Sequence, residues 1–95
     1  MRLICLFAAC DETDLQQNYM RYAVSGLVGY NIAAYTPRTL EECQQLCSND
    51  TACRTFEYMD QLGQCVLQAV TPMDTPWAWN RGNDLGWDLY QRMCA

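Results

Sequence analysis

The chain has 95 residues, seven of them cysteine, and a formal net charge of −5; at this length it makes one domain and buries only about 60–70% of its unfolded surface, so packing alone leaves it marginal. Its six basic residues are arginines scattered at positions 2, 21, 38, 54, 81 and 92, which gives no cationic stripe for nucleic-acid phosphates or an anionic membrane surface. Histidine and lysine are absent, removing the commonest general base and the usual amine nucleophile, and no spacing among the carboxylates marks an acid–base pair, so the chain reads as a non-enzyme with no cofactor.

In chain order, Met1-Arg2 followed by the apolar run Leu3–Ala9 reads as the remnant of a secretory signal or as a buried first strand, with the domain proper at residues 10–95. No segment reaches the roughly 20 apolar residues that span a bilayer. Residues 11–18 are polar and predict a loop. Between Tyr19 and Tyr35, the residues Val24, Leu27, Val28, Tyr30, Ile32 and Tyr35 predict one or two short strands broken by Gly26 and Gly29. Thr36-Pro37-Arg38 interrupts regular structure.

Thr39-Leu40-Glu41-Glu42 is a capping box. The Thr39 hydroxyl accepts from the Glu42 amide, the Glu42 side chain reaches back, and the acidic pair suits the positive end of the helix dipole. A helix follows from Leu40 to Cys47, with Cys43 and Cys47 on one face at i, i+4 and Ser48-Asn49-Asp50 ending it. Cys53–Met59 alternates as a strand with Phe56 and Tyr58 on one side, Asp60–Gln64 turns, and Cys65–Val70 returns as a hairpin. Pro72 and Pro76 mark a loop, the stretch from Trp77 to Gly86 reads as irregular and aromatic, and Trp87–Tyr90 is a last strand leading to Cys94.

The central cysteines are spaced Cys43-x3-Cys47-x5-Cys53-x11-Cys65. Zinc sites favour short C-x2-C pairs, often with histidine, so the cysteines predict disulfides and an oxidising, extracellular compartment instead of a metal. Asn83-Asp84 and the Asp11, Glu12 and Asp14 group lack the regular ligand spacing of a calcium loop and read as solvated turns.

The run T-L-E-E-C-Q-Q-L-C-S-N-D-T-A-C-R-T-F-E-Y, then G-Q-C-V-L, then W-D-L-Y-Q-R-M-C, resembles the PAN/apple domain family. The family pattern is a helix carrying C-x3-C, a strand carrying C-x-x-F-x-Y, then C-x-L and a cysteine near the C-terminus. The resemblance implies an α+β fold, a small disulfide-stapled domain with one helix packed on an antiparallel sheet. It also implies the pairs Cys10–Cys94, Cys43–Cys65 and Cys47–Cys53, a pairing that the sequence by itself does not single out. Cys5 is left over, either unpaired, bridged to another chain, or taking the place of Cys10 opposite Cys94.

Members of such a family bind proteins or carbohydrates without catalysis, so the expected role is an extracellular recognition module. The candidate contacts are Trp77, Trp79, Trp87 and Tyr90. Trp77 and Trp79 would share a face if the chain were extended there, forming platforms for sugar rings or interface anchors; the competing reading is that these rings complete a small core. Asn49-Asp50-Thr51 is an N-glycosylation sequon. The solitary domain, the apolar start and the odd cysteine support an alternative, a self-assembling structural subunit of an extracellular filament or surface coat.

Overall fold

The computed structural model describes residues 19–82 and 85–93. Three strands open the described chain: β1 (Tyr19–Tyr22), β2 (Ser25–Leu27) and β3 (Asn31–Tyr35). Helix α1 (Leu40–Asn49) follows, then the hairpin of β4 (Thr55–Met59) and β5 (Gln64–Gln68). A single 3₁₀ turn (Pro76–Ala78) leads into β6 (Trp79–Arg81), and β7 (Trp87–Arg92) closes the fold. Five strands form one antiparallel sheet in the order β1-β7-β4-β5-β3, while β2 and β6 pair as a separate ribbon. This is the expected α+β arrangement, with three strands between Tyr19 and Tyr35 where one or two were expected, and with β6 in the stretch that read as irregular. The segment 1–9, Cys5, Cys10 and Cys94 lie outside the described residues.

The helix forms where the capping box sits: the Glu42 amide donates to Thr39 Oγ1 (3.1 Å) and the Thr39 amide to Glu42 Oε1 (2.8 Å). Its other end carries no basic residue of its own. Arg92, on β7, substitutes for one. Its guanidinium donates to the Ser48 carbonyl in the last turn (3.1 Å) and reaches those of Cys47 and Cys53 (3.4 Å each), placing a cation at the negative end of the helix dipole. The chain enters the helix across the hairpin turn, where Arg38 N–H donates to the Gly63 carbonyl (2.8 Å). Gly63 has φ +64, and a Cβ there would lie 3.0 Å from the Arg38 carbonyl oxygen, so any side chain at this crossing would be strained and would crowd the Arg38 backbone.

Period-two alternation gives the sheet two different faces. Phe56, Leu67, Cys65, Tyr90 and Tyr19 point to the helix side and pack with Cys43 and Cys47 as the core. There the Phe56 and Tyr90 rings stack at 4.7 Å and Tyr19 meets Phe56 edge-on at 5.2 Å. Two bridges pin α1 to this face, Cys43–Cys65 and Cys47–Cys53, with Cα separations of 5.6 and 5.2 Å. All four sulfurs belong to fully buried residues. By loop-closure entropy the two bridges stabilise the fold by at most about 3.4 and 2.4 kcal/mol.

The opposite face carries Thr55, Glu57, Gln68 and Leu89, covered by the β2–β6 ribbon. Polar groups fasten the ribbon. Glu57 Oε2 accepts from the Leu27 amide (2.9 Å) and from Gln68 Nε2, and Gln68 Nε2 also lies 3.0 Å from the Leu27 carbonyl. Both backbone groups of Leu27 are thus held by side chains of the main sheet. Thr55 Oγ1 extends the cluster to Gln68 Oε1 (3.0 Å).

Candidate recognition surface

The segment after β5 builds a surface on the ribbon side of the sheet. Thr71-Pro72-Met73-Asp74 closes a turn with reciprocal side-chain caps: Thr71 N–H donates to Asp74 Oδ2 (2.9 Å), and Asp74 N–H to Thr71 Oγ1 (3.3 Å). That bond to the Thr71 amide holds the Asp74 carboxyl below its ordinary value of 3.8. The turn buries Thr71, Pro72 and Thr75 and leaves Met73 86% exposed. The 3₁₀ turn then lifts Trp77 out of the surface, 75% exposed, with its indole N–H donating to the Tyr30 hydroxyl (3.2 Å).

Beside this turn lies a groove of about 310 Å³ lined by Tyr22, Pro72, Met73, Pro76, Trp79 and Gln91. That volume is at the lower end of the range that holds a small ligand or a few side chains, roughly 300–1,000 Å³. Trp79 forms its aromatic wall. Tyr22 meets the indole edge-on at 5.4 Å, and the Arg81 guanidinium covers it at 4.6 Å from the ring centroid. The Trp79 indole N–H is buried and has no hydrogen-bond acceptor among the described residues, an arrangement that costs about 1–3 kcal/mol. Tyr22 and Gln91 reach the groove because they sit on neighbouring strands β1 and β7 and project to the ribbon side.

The four candidate aromatics therefore separate. Trp77 and Trp79 do not share a face, because the 3₁₀ turn replaces the extended backbone that sharing requires: Trp77 stands out in solvent with its N–H on the Tyr30 hydroxyl, and Trp79 walls the groove. Tyr90 is core, 9% exposed and stacked on Phe56, with desolvation raising its phenol above the ordinary 10.0. Trp87 is half-buried at the far end of β7, opposite Met59. Tyr22, Pro72, Met73, Pro76 and Gln91 escaped the sequence reading. One signal was present: Thr71-x-x-Asp74 has the same capping logic as Thr39-x-x-Glu42 and marks an ordered turn where prolines had suggested an irregular loop. Among the described residues no group of His, Cys, Asp or Glu is placed to hold a metal ion, and no helix is long and apolar enough to cross a membrane.

Cysteine-pinned helix, F-x-Y strand and hairpin together decide the relationship, and the PAN domain model matches residues 10–94. The chain belongs to the PAN domain family. PAN domains are generally interaction modules for proteins or carbohydrates and are typically non-catalytic; with their disulfides they are typical of extracellular proteins. No curated protein matches the chain. In this PAN domain the helix face is consumed by the core and its bridges, whereas the ribbon face keeps an open groove and an exposed tryptophan.

Proposed function

We propose that this PAN domain is a secreted or cell-surface, non-catalytic recognition module that grips a protein partner with its ribbon face. Trp77 is the anchor and the Tyr22–Trp79 groove is the receiving site. The observation that carries this reading is the pairing of a 75% exposed tryptophan with an apolar groove in one short segment. Exposed tryptophans beside aromatic pockets are the usual composition of binding hot spots. The groove wall offers Pro72, Pro76, Met73 and two aromatics but few polar groups, which favours an apolar peptide side chain over a sugar ring. Arg81, stacked on Trp79 at the rim, favours an acidic neighbour on the partner. The unsatisfied Trp79 indole N–H adds support, since buried orphan donors in a folded protein call for a reason.

The test is selection of peptides from a random display library, and of sugars on a glycan array, with wild-type protein. Selected peptides are expected to carry an apolar residue next to an acidic one and to lose at least tenfold in affinity, about 1.4 kcal/mol, on Trp77→Ala or Met73→Ser. Trp87→Ala is expected to leave binding intact. Ligands indifferent to Trp77 and Met73, or a glycan-only response, would overturn the choice of surface and partner.

A second reading, self-assembly into an extracellular filament or coat, is favoured by β3. This strand is an edge of the main sheet, its sequence Asn-Ile-Ala-Ala-Tyr has no charge, and Ile32 is 45% exposed. Uncharged edges invite strand pairing with another chain. Sedimentation over a wide concentration range, together with non-reducing electrophoresis for a bridge through Cys5, tests it. A monomer under all these conditions would refute it.

A further inference from the structure

We infer that Asn49 is an N-glycan acceptor, and that it accepts only before the Cys47–Cys53 bridge closes. Asn49-Asp50-Thr51 has the required acceptor pattern. Asn49 ends helix α1, and both it and Thr51 are exposed. The sequon lies on the helix side of the sheet and the groove on the ribbon side, so a glycan here leaves the groove open. It would shield the helix end and its bridge. This inference does not rest on the choice of partner above.

The order of events follows from the local backbone. A carboxamide nitrogen is a poor nucleophile, and a transferring enzyme activates it only when the Asn-x-Thr stretch threads its cleft with the hydroxyl beside the amide. In the folded protein that stretch is closed on itself. Asp50 N–H donates to the Cys47 carbonyl (3.1 Å), Cys53 N–H to the Asp50 carbonyl (2.9 Å) and Ala52 N–H to Asp50 Oδ1 (2.9 Å). The bridge holds the Cα atoms of Cys47 and Cys53 5.2 Å apart, where an extended chain of that length would span about 20 Å. The loop from Cys47 to Cys53 that carries the sequon therefore cannot extend as a whole while the S–S bond is intact.

In the transfer, the Asn49 Nδ2 lone pair attacks C1 of the reducing-end N-acetylglucosamine of a polyprenyl-diphosphate-linked oligosaccharide. The N–C1 bond forms, the bond from C1 to the diphosphate oxygen breaks, the lipid diphosphate leaves, and one amide proton is lost to base. No electrons are exchanged with an oxidant or reductant.

Two measurements test the inference. First, the full chain is secreted from a eukaryotic cell and treated with peptide N-glycosidase. The expected result is a loss of mass with conversion of Asn49 to Asp, absent in Thr51→Ala and retained in Thr51→Ser. An unmodified secreted chain, or a modification that survives Thr51→Ala, overturns the site. Second, glycan-free protein is offered to purified oligosaccharyltransferase with a lipid-linked oligosaccharide, either oxidised and folded or reduced and alkylated. The reduced chain is expected to be modified at least about tenfold faster, because the folded one must first open locally. Equal rates overturn the ordering while leaving the site itself to the first measurement.

Discussion

The two faces of the sheet are built from different chemistry. The helix face is apolar and covalently fixed: aromatic rings stack, α1 is bolted by two buried disulfides, and little of it faces solvent. The ribbon face is held by hydrogen bonds from Glu57 and Gln68 to Leu27 and by the Thr71–Asp74 turn, and it leaves Met73 and Trp77 in water. In a domain too small to be stable by packing alone, both cross-links among the described residues lie on one side. On the other side the exposed Met73 and Trp77 stand outside the Glu57–Gln68 cluster and can vary without unfolding the domain.

If the division holds, damage to the helix face should cost stability, and damage to the outer ribbon face should cost binding. The largest effect is expected from replacing Cys43 and Cys65 together by alanine, which frees the helix from the hairpin. Chemical denaturation should show a loss of about 3 kcal/mol, a large part of the net stability of a small domain.

Next comes Glu57→Leu. It leaves the buried Leu27 amide without its acceptor, at about 1–3 kcal/mol, while Gln68 Nε2 keeps the Leu27 carbonyl and Asn31 Oδ1. Hydrogen exchange should show β2 and β6 losing protection before α1 does; simultaneous loss would mean that the ribbon is not a separate layer.

A smaller effect is expected on acidification. Because the folded Asp74 carboxyl sits below its ordinary 3.8, the turn's contribution is complete above that value and fades as pH falls through the lowered one. Amides 71–75 should lose protection in that range, and Asp74→Asn should remove the pH dependence. Trp77→Ala should change stability least, within about 0.5 kcal/mol, as for an exposed side chain whose hydrogen bond to Tyr30 also lies in solvent.

The helix face was legible because its signals are local. The capping box, the i, i+4 cysteines and the F-x-Y alternation each state a geometry within a few residues, and the family resemblance then supplied the bridge partners. The ribbon face was not, because it depends on distant pieces meeting. Tyr22 and Gln91 share the groove only through the pairing of β1 with β7, and Trp79 joins them only because β6 pairs with a three-residue strand containing a glycine. Val24, at φ +52 between β1 and β2, shows how far the tertiary contacts override local preference: a β-branched residue is held in the left-handed region by its amide bond to Asp88 Oδ1 (2.9 Å) and the Gly82 amide on its carbonyl (2.7 Å).

The most direct test of the two-sided account is an NMR titration of the isotope-labelled domain with a peptide selected on the wild-type protein. Shifts confined to Tyr22, Trp79, Arg81, Gln91 and the 71–77 segment, with α1 unmoved, are the predicted result. Shifts centred on α1 and the Cys47–Cys53 loop would contradict it.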